Sequence, residues 1–496
     1  MVKFKYKIKS QDVAERIFDM KKIFGIVLAV CLMATMLCVS VFAGEAPASD
    51  VVLRVSALKR DGSTVDLGDY KDHAEGWSAA MTIADDRDEM KRNDYDRIVV
   101  DLYADWTAVN GEFCNEGKGF NWDAIYFEDG VRMTLNLNGH TIDRALWTWQ
   151  YNGEVMYIDK KADVIINDGT ITGGWSCNGA GGIHINDKAN VTLNNVNVMG
   201  NTVEDDEGGG IAVYDGATLI MNGGGLYGNN LMGTIEMYFS TPYGGGIYVE
   251  DSYLYLNGVT VANNNNLDDS IRGFGVGVCV MNSEVVIENC NFIENGRVDN
   301  GWGKAPAISV ISMGGDDSVV TIRNTTFDGN GSRNTRNSNT PNSVIHGGNG
   351  ELTIENCKFI NNKATYLMRF TGVTLTVSDT DFTGNESLVL HGTIENTFTN
   401  CRFDKGVTDE NFKYTFESIS YAHKLNFIDC DLGDATFEYK NSVNVQNSLT
   451  GSIFSSGSFV MIVSFAALIA SIASICVNVH TDKKRKDSSE ILSDEE

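Results

Sequence analysis

Basic residues are scarce in this chain of 496 residues, which has 39 Lys and Arg against 66 Asp and Glu. The imbalance lies in residues 44–456, where 28 basic and 57 acidic residues give a net charge of −29. Such a surface repels polyanions, which argues against nucleic acid and anionic lipid as partners. A solvated exterior that resists aggregation accounts for the same acidity.

Cysteine is also sparse, with ten residues in the whole chain. Seven of them lie between residues 44 and 456, and their odd number and irregular spacing argue against a dense disulfide framework. Cys401 and Cys430 fall in adjacent coils of the repeat described below, within disulfide range, although parallel side-chain vectors suit a bond badly. The seven are Cys114, Cys177, Cys279, Cys290, Cys357, Cys401 and Cys430.

Long runs without charge occur near the two ends of the sequence. Residues 21–43 have a basic start, an apolar run and a small residue at Ala43, which is the layout of a secretory signal peptide, with Met20 as an alternative start to Met1. Residues 459–477 are uncharged, long enough to cross a bilayer, and followed by the cationic KKRK. They predict one transmembrane helix with the bulk of the chain outside the cell; a buried core helix is the alternative.

A ten-residue phrase is repeated in the chain, since IENCNFIENG at 287–296 returns as IENCKFINNK at 354–363. Its template is an apolar residue, any residue, a turn residue, a small residue, any residue and a large apolar residue, and it fits eleven times. The turn residues are all of types that tolerate a left-handed backbone. They are Gly139, Asp168, Asn195, Gly223, Gly258, Asn289, Asn324, Asn356, Asp379, Asn400 and Asp429.

Short alternating runs of apolar and polar residues flank each turn, for example VTLNN at 191–195 and LTIEN at 352–356. Alternation with a period of two predicts strands that are buried on one face. A unit of about thirty residues built from short strands cannot close a core alone, whereas stacked units can. We therefore predict an all-β fold, a parallel β-helix of about eleven coils. A propeller is the alternative, but its blades need four strands per repeat and steadier spacing.

The repeat also predicts what each coil position does. Asn residues at successive corners can form an amide ladder. Phe292, Phe327 and Phe359 should stack in a continuous column inside the solenoid. The residue after each corner points inward and has to be small, so the cysteines there are packing residues. These inward positions are Val196, Cys290, Thr325, Cys357, Thr380, Cys401 and Cys430.

Several motifs mark a family resemblance: EGWSAAMTIA (75–84), YADWTA (103–108), LNLNGHTIDR (135–144), GGGIAVYDGATLIMNGG (208–224) and GGGIYVEDSYLYLNG (244–258). Through them the chain resembles the right-handed parallel β-helix superfamily, with its pectate-lyase-like fold. Within that superfamily it is similar to the secreted, membrane-anchored surface proteins of Gram-positive gut bacteria. The resemblance implies a right-handed coil, and it implies architecture more than activity.

The domain organisation follows from these elements. Trp77, Met81 and Ala84 share one face of a predicted helix that would cap the exposed end of the core. The predicted segments are 1–43 (extension and signal peptide), 44–130 (N-terminal cap), 131–435 (β-helix), 436–457 (stalk), 458–479 (transmembrane helix) and 480–496 (cytoplasmic tail).

In lyases and hydrolases that the chain resembles, the outward face of one parallel sheet carries the active site. Aligning the glycine-led strands gives one outward row, which is a candidate for proton transfer beside an acidic sugar. An ordinary polar exterior is the alternative, since no paired carboxylates share the row. GGDDSVV at 314–320 is similar to a polygalacturonase motif, but the rest of that set is missing. The row reads His184, Ala212, Tyr248, Cys279, Ser309, His346 and Arg369.

Loops and aromatic residues supply two further sets of candidates. Acidic loop residues that project from one edge could hold calcium, with solvated loop acids as the alternative, since no fixed calcium spacing appears. These are Asp205, Asp206, Glu207, Asp268 and Asp269. Aromatic residues that alternate in a strand or lie in loops could stack on sugar rings, with packing against the first coil as the alternative. These are Trp147, Trp149, Tyr151, Trp175 and Trp302.

Together these observations predict a membrane-anchored extracellular β-helix protein. We expect non-enzymatic surface adhesion or glycan binding, with a polysaccharide or a host or neighbouring cell surface as partner. A cell-surface polysaccharide lyase or glycoside hydrolase is the alternative, and it requires titratable groups that converge in a groove.

Overall fold

The structure is a computed structural model with two units, Met1–Val51 and Val52–Glu496. The second unit is the one described below. The predicted signal peptide, transmembrane helix and cytoplasmic tail lie outside the described residues, and no helix within the described part is long and apolar enough to cross a membrane. The described residues are 50–114, 117–233, 242–267, 274–296, 309–316, 318–331, 343–364, 366–391, 395–404, 408–409, 424–435 and 443–448.

The N-terminal part combines two helices, His73–Asp85 and Arg87–Arg92, with an antiparallel sheet. Asp72 caps the first helix by accepting a hydrogen bond from the Glu75 amide at 2.9 Å. Trp77, Met81 and Ala84 are buried on the face of this helix that packs on the strands, as predicted. The helical part therefore covers the apolar end of the first turn.

A parallel solenoid of the right-handed type, with about nine turns, follows this N-terminal part. All eleven corner residues have a left-handed backbone, with φ between +51° and +85°. The predicted count of about eleven coils is nevertheless too high. The third side of a turn is a strand at only four places in the described residues.

Three sheets run along the solenoid, and almost every strand in them pairs in parallel with its equivalent in the next turn. We call them the long, second and short sheets. The corners bend the long sheet, so that most turns contribute two strands to it. Its 24 strands in the described part are Leu53–Lys59, Thr64–Tyr70, Tyr95–Leu102, Trp106–Thr107, Arg132–Asn136, Thr141–Asp143, Asp163–Thr172, Asn190–Met199, Thr218–Asn222, Gly225–Tyr227, Tyr253–Asn257, Thr260–Ala262, Glu284–Glu288, Asn291–Ile293, Val319–Arg323, Thr326–Asp328, Gly350–Glu355, Lys358–Ile360, Val373–Ser378, Asp381–Phe382, Glu395–Thr399, Arg402–Phe403, Lys424–Ile428 and Val443–Gln446.

The second sheet forms the face on which the candidate row lies, and the short sheet borders it. The second sheet contains Phe120–Asn121, Ala124–Phe127, Met156–Ile158, Ile183–Ile185, Ile211–Val213, Ile247–Glu250, Val278–Met281, Ser309–Gly314, Ser343–Gly347, Tyr366–Phe370, Val389–His391 and Thr408–Asp409. The short sheet contains Trp175–Ser176, Thr202–Glu204, Asn230–Met232 and Asn265–Asn266.

The predicted phenylalanine column is confirmed. Phe292 and Phe327 stack with ring centroids 4.8 Å apart, and Phe327 and Phe359 stack at 4.5 Å. The column continues through Phe382 to Phe403 at 5.0 and 4.8 Å. The stacking follows from the parallel register, because identical positions in successive strands lie about 4.8 Å apart.

The small residues after the corners are buried, as predicted, and the described cysteines are free thiols. Several of them also accept hydrogen bonds from the neighbouring turn. The Cys290 amide donates to Thr325 Oγ1 at 3.3 Å, and the Cys401 amide donates to Cys430 Sγ at 3.4 Å. Burial raises the pKa of the Cys290 thiol to about 12, which keeps it protonated and inert.

The corner ladder of amides is also present, with Asn324 Nδ2 donating to Asn289 Oδ1 at 3.3 Å. A second ladder, inside the solenoid, was not predicted. In it each Asn donates from Nδ2 to the next Asn Oδ1 and to a backbone carbonyl, while Oδ1 also accepts from a backbone amide. These side chains are almost fully buried. They are Asn201, Asn229, Asn264, Asn295, Asn330, Asn362 and Asn385.

Candidate functional site

Three of the aromatic candidates lie in the loop between strands Thr141–Asp143 and Met156–Ile158. Trp147 is 86% exposed, Trp149 50% and Tyr151 66%. The loop is not the strand that their alternation predicted. They also do not pack against the first coil, which was the alternative. Exposed aromatic side chains on neighbouring positions mark interaction surfaces, because a partner that covers them removes apolar surface from water, which is favourable.

A fourth exposed aromatic residue was not predicted. Trp122 is 52% exposed and, with Asp123, forms the two-residue turn between the paired strands Phe120–Asn121 and Ala124–Phe127. Both turn residues have positive φ, +49° and +64°. Such turns normally contain Asn and Gly, since a bulky side chain is strained in this backbone region. Strained residues of this kind cluster at functional sites. We call Trp122, Trp147, Trp149 and Tyr151 the aromatic patch.

One buried side chain ties the two loops of the aromatic patch together. Arg144 is fully buried, and its guanidinium donates to the Gly111 carbonyl at 3.2 Å, to the Trp122 carbonyl at 2.8 Å and to the Glu154 carbonyl. It also contacts Gln150 Oε1 at 3.5 Å. Burial lowers the pKa of Arg144, but the guanidinium remains a cation at neutral pH. Because its donors are used inside the protein, it is not available to an external ligand.

The patch loop is also fixed to the neighbouring turn. Gly153 has no room for a side chain, since a Cβ there would lie 1.8 Å from the Trp175 carbonyl oxygen. The Trp175 amide donates to the Gly153 carbonyl at 2.9 Å, and the Gln150 amide donates to the Trp175 carbonyl at 3.0 Å. Trp175 itself is half-buried, and its Nε1 donates to Glu204 Oε2 at 3.2 Å. Trp302 lies outside the described residues.

The predicted outward row is present on the second sheet with one correction. Register pairs His184 with Ala212, then with Tyr248 and Cys279. Cys279 is opposite Ser312, which replaces the predicted Ser309. Ser309 pairs with Ser343 and is buried. The alignment slipped by three residues because this coil lacks the glycine pair that starts the preceding strands.

The row extends further than predicted in both directions. Tyr126 and Tyr157 precede His184 in register. Ser312 is followed by His346 and then by Arg369, which are neighbours as predicted, and His391 comes next. These additions could have been found from the alternation in AIYF and VMYI, whose strands precede the glycine-led coils.

Glycine-led loops lie over much of this row. Gly179, with φ of +82°, stands so close that a Cβ there would be 2.3 Å from His184 Nδ1. Ala212, Tyr248 and Cys279 are buried under equivalent loops. Burial also lowers the pKa of His184 to about 4, so its imidazole is neutral at pH 7. The stretch of the row from His184 to Cys279 is therefore covered by these loops.

Aromatic rings form a continuous series of contacts along this face. His184 stacks on Tyr157 at 4.4 Å and contacts Tyr214 at 5.2 Å, and Tyr214 contacts Tyr248 at 5.5 Å. The series begins at the patch, since Trp122 meets Tyr157 edge-on at 5.9 Å. The rings of this series pack beneath the glycine-led loops.

The acidic loop at 204–207 contains a carboxyl pair. Asp206 accepts from the Gly179 amide at 2.8 Å and from the Glu207 amide at 2.9 Å. Burial, together with the hydrogen bond and charge of Asp206, raises the pKa of Glu207 to about 9, and Tyr214 donates a hydrogen bond to the same carboxyl. Glu207 is thus protonated at neutral pH and shares a hydrogen bond with Asp206.

The calcium candidates do not form a metal site in the described part of the chain, where no group of three or more His, Cys, Asp or Glu side chains could hold an ion. Asp205, Asp206 and Glu207 are within that part, while Asp268 and Asp269 lie outside it. Asp316 of the GGDD segment is an exposed turn residue that accepts a hydrogen bond from Asn349 at 2.8 Å.

The geometry separates the titratable groups of the row. His184 and His346 are five strand steps apart, which corresponds to about 24 Å. An acid and a base that act on one bond have to lie within hydrogen-bond reach of it. His184 and His346 therefore cannot act on one bond, whereas His346 and Arg369 are neighbours in register.

Comparison of this chain with protein-family models, with curated proteins and with solved structures found no match. The class that the fold defines is the parallel β-solenoid. Within that class, the aromatic patch places four exposed aromatic side chains on two loops of the described structure.

Proposed function

We propose that this protein binds a neutral polysaccharide at the cell surface through its aromatic patch. The observation that carries the proposal is the exposure of Trp122, Trp147, Trp149 and Tyr151 on two loops fixed by the buried Arg144. Flat aromatic faces that are exposed and held in place suit the apolar faces of sugar rings, since little conformational entropy is lost on binding.

The net charge of the chain outside its two apolar segments favours neutral sugars over uronic acids. The net charge of residues 44–456 is −29. The guanidinium of Arg144 donates its hydrogen bonds to backbone carbonyls, and His184 is uncharged at neutral pH. An acidic sugar would therefore meet repulsion without a compensating cation from either of these groups. The proposal therefore differs from the acidic sugar that the row of His, Tyr and Arg predicts at a different place on the solenoid, which stays a prediction.

The membrane attachment and the finer family assignment are parts of the same proposal. We propose that residues 459–477 anchor the chain and that residues 21–43 direct its export. The pectate-lyase-like architecture and the similarity to surface proteins of Gram-positive gut bacteria rest on the motifs given above. Adhesion to a host or neighbouring cell would follow from polysaccharide binding by an anchored rod.

A glycoside hydrolase is the second candidate, and the Asp206–Glu207 pair is the observation that favours it. A protonated carboxyl beside an ionised one provides an acid and a base. However, these two carboxyl groups share a hydrogen bond. Glycosidase carboxyl groups lie about 5 to 9.5 Å apart, because the sugar and a water have to fit between them. The pair is thus better suited to holding its loop than to cleaving a sugar.

The test is retention of the full chain, in detergent, on immobilised neutral and uronic acid polysaccharides. We expect binding to the neutral polymer and a loss of about thirtyfold or more in affinity when Trp147 and Trp149 are both replaced by Ala, since aromatic hot spots contribute about 2 kcal/mol or more. Tyr253→Ala, on the outer face of the long sheet, is the matched control and should bind normally. Equal binding by the double variant would refute the proposal.

The same experiment separates binding from catalysis. Chromatography of the incubated polysaccharide should reveal no shortened chains. Cleavage that disappears in Glu207→Gln would establish the hydrolase instead.

A further inference from the structure

Glu154 is a buried acid at the base of the aromatic patch. Its side chain is 1% exposed, and neither carboxyl oxygen has a hydrogen-bond partner in the described structure. Glu154 lies near the end of the loop that carries Trp147, Trp149 and Tyr151. Its backbone carbonyl accepts a hydrogen bond from Arg144. Burial of a carboxyl without partners favours its neutral form.

The groups that face Glu154 come from three elements. Arg144, at the start of the same loop, is the facing cation, and Tyr157 faces Glu154 from the following strand. Asp123 faces Arg144 from the hairpin turn, and Glu112 faces Asp123. Burial raises the pKa of Glu154 to about 7 and also raises that of Asp123. Glu154 is therefore the group of this set that changes charge near neutral pH.

We propose that protonation of Glu154 controls the arrangement of the aromatic patch, with Arg144 as the positioning residue through which it acts. The effect on polysaccharide binding rests on the proposed function, whereas the effect on the loops does not. The proposal stands on the geometry: an unpartnered buried carboxyl lies beside a guanidinium whose hydrogen bonds fix both patch loops.

The device works through competition for one guanidinium. While Glu154 is neutral, the Arg144 donors remain on the carbonyls of Gly111, Trp122 and Glu154. When Glu154 releases its proton to solvent, the buried carboxylate needs donors, and Arg144 is the adjacent source. Each donor that turns to the carboxylate leaves a loop carbonyl unpaired. The hairpin turn and the patch loop then loosen, and the aromatic faces lose their fixed positions.

The sign of the pH dependence follows from the raised pKa. The folded protein with a fixed patch binds the Glu154 proton more tightly than the loosened one, so the fixed arrangement is favoured at low pH and lost as pH rises through about 7. With a midpoint near pH 7, the fraction of molecules in which Glu154 is protonated falls by about tenfold between pH 6 and pH 8. Polysaccharide affinity should fall by the same factor.

The first test measures tryptophan fluorescence and its quenching by acrylamide in the full chain between pH 5 and pH 9, without polysaccharide. We expect a transition near pH 7 that Glu154→Gln abolishes, because the amide resembles the neutral acid. Glu284→Gln removes one exposed acid on the long sheet and should leave the transition unchanged. A transition that persists in Glu154→Gln, or its absence from the unmodified protein, would overturn the inference.

The second test repeats the binding measurement at pH 6 and pH 8. The unmodified chain should lose about tenfold in affinity and Glu154→Gln should lose none, while Arg144→Lys should bind weakly at both values because one amine cannot replace the fork of donors. Absence of binding at every pH, with the fluorescence transition intact and dependent on Glu154, would count against the proposed function and leave the switch established. Equal pH dependence in Glu154→Gln would overturn the switch.

Discussion

The phenylalanine column and the aromatic patch contain the same kind of side chain in opposite surroundings. Phe292, Phe327 and Phe359 are fully buried, stacked at 4.8 and 4.5 Å, and repeated in register. Trp147 and Trp122 are exposed, lie in loops of unrelated sequence, and one of them occupies a strained turn. The first set is explained by packing alone. The second set exposes apolar rings to water and strains one turn of the backbone. Both features are unfavourable for folding, and neither is compensated by packing in the described fold.

This difference indicates where to look for function in a repetitive solenoid. A position that recurs in every turn is under the same physical demand in every turn, which is the filling of the core or the pairing of the backbone. A position that departs from the repeat and is unfavourable for folding needs another reason. Arg144 and Glu154 are also departures of this kind, since both are ionisable groups in a buried site.

The largest expected effect is in the column. Phe327→Ala removes a ring that stacks on both neighbours and should lower the free energy of unfolding by about 4 kcal/mol, because a cavity is left in a close-packed core. Binding of polysaccharide by the folded fraction should not change. Chemical denaturation at constant temperature is the measurement. A loss below about 1 kcal/mol would mean that the column contributes little, and the comparison with the patch would fail.

The next effect in size concerns the buried asparagine ladder. Asn330→Ala removes the acceptor for the Asn295 amide and side chain, at 3.0 and 3.1 Å, and the donor to the Phe292 carbonyl at 2.8 Å. Several buried polar groups are left unpaired, which should cost about 3 kcal/mol in total. Asn291→Ala, at an exposed strand position, should change stability by less than about 0.5 kcal/mol. If the two variants unfold alike, the ladder does not hold the turns together.

The sequence pattern is sufficient to predict the repeated features of the solenoid, which include the phenylalanine column. The corners, the inward small residues and the column all follow from one template, because each turn solves the same packing problem. The buried ladder was also readable, since Asn stands three residues after the large apolar residue at positions such as 201, 229 and 264. It was missed because the template ended at the apolar residue.

The candidate site was only partly predictable, for a physical reason. The alternation of Trp147, Trp149 and Tyr151 marks them as candidates, but their exposure depends on a loop conformation set by Arg144, Gly153 and the next turn. No sequence pattern predicts the turn position of Trp122, because bulky residues are not expected in two-residue turns. The partners of Glu154 arise from loops brought together only by the fold. Such contacts depend on tertiary geometry that no local period encodes.

The smallest expected change in stability is at the patch, and it completes the comparison. Trp147→Ala removes a larger side chain than Phe327→Ala does, yet Trp147 is 86% exposed and its loss leaves no cavity. We expect a change of less than about 0.5 kcal/mol in the free energy of unfolding, measured beside Phe327→Ala under the same conditions. A destabilisation as large as that of Phe327→Ala would show that Trp147 packs against a part of the chain and serves the fold. Because both substitutions remove an aromatic ring, the difference between their effects on stability comes from the surroundings of the two side chains.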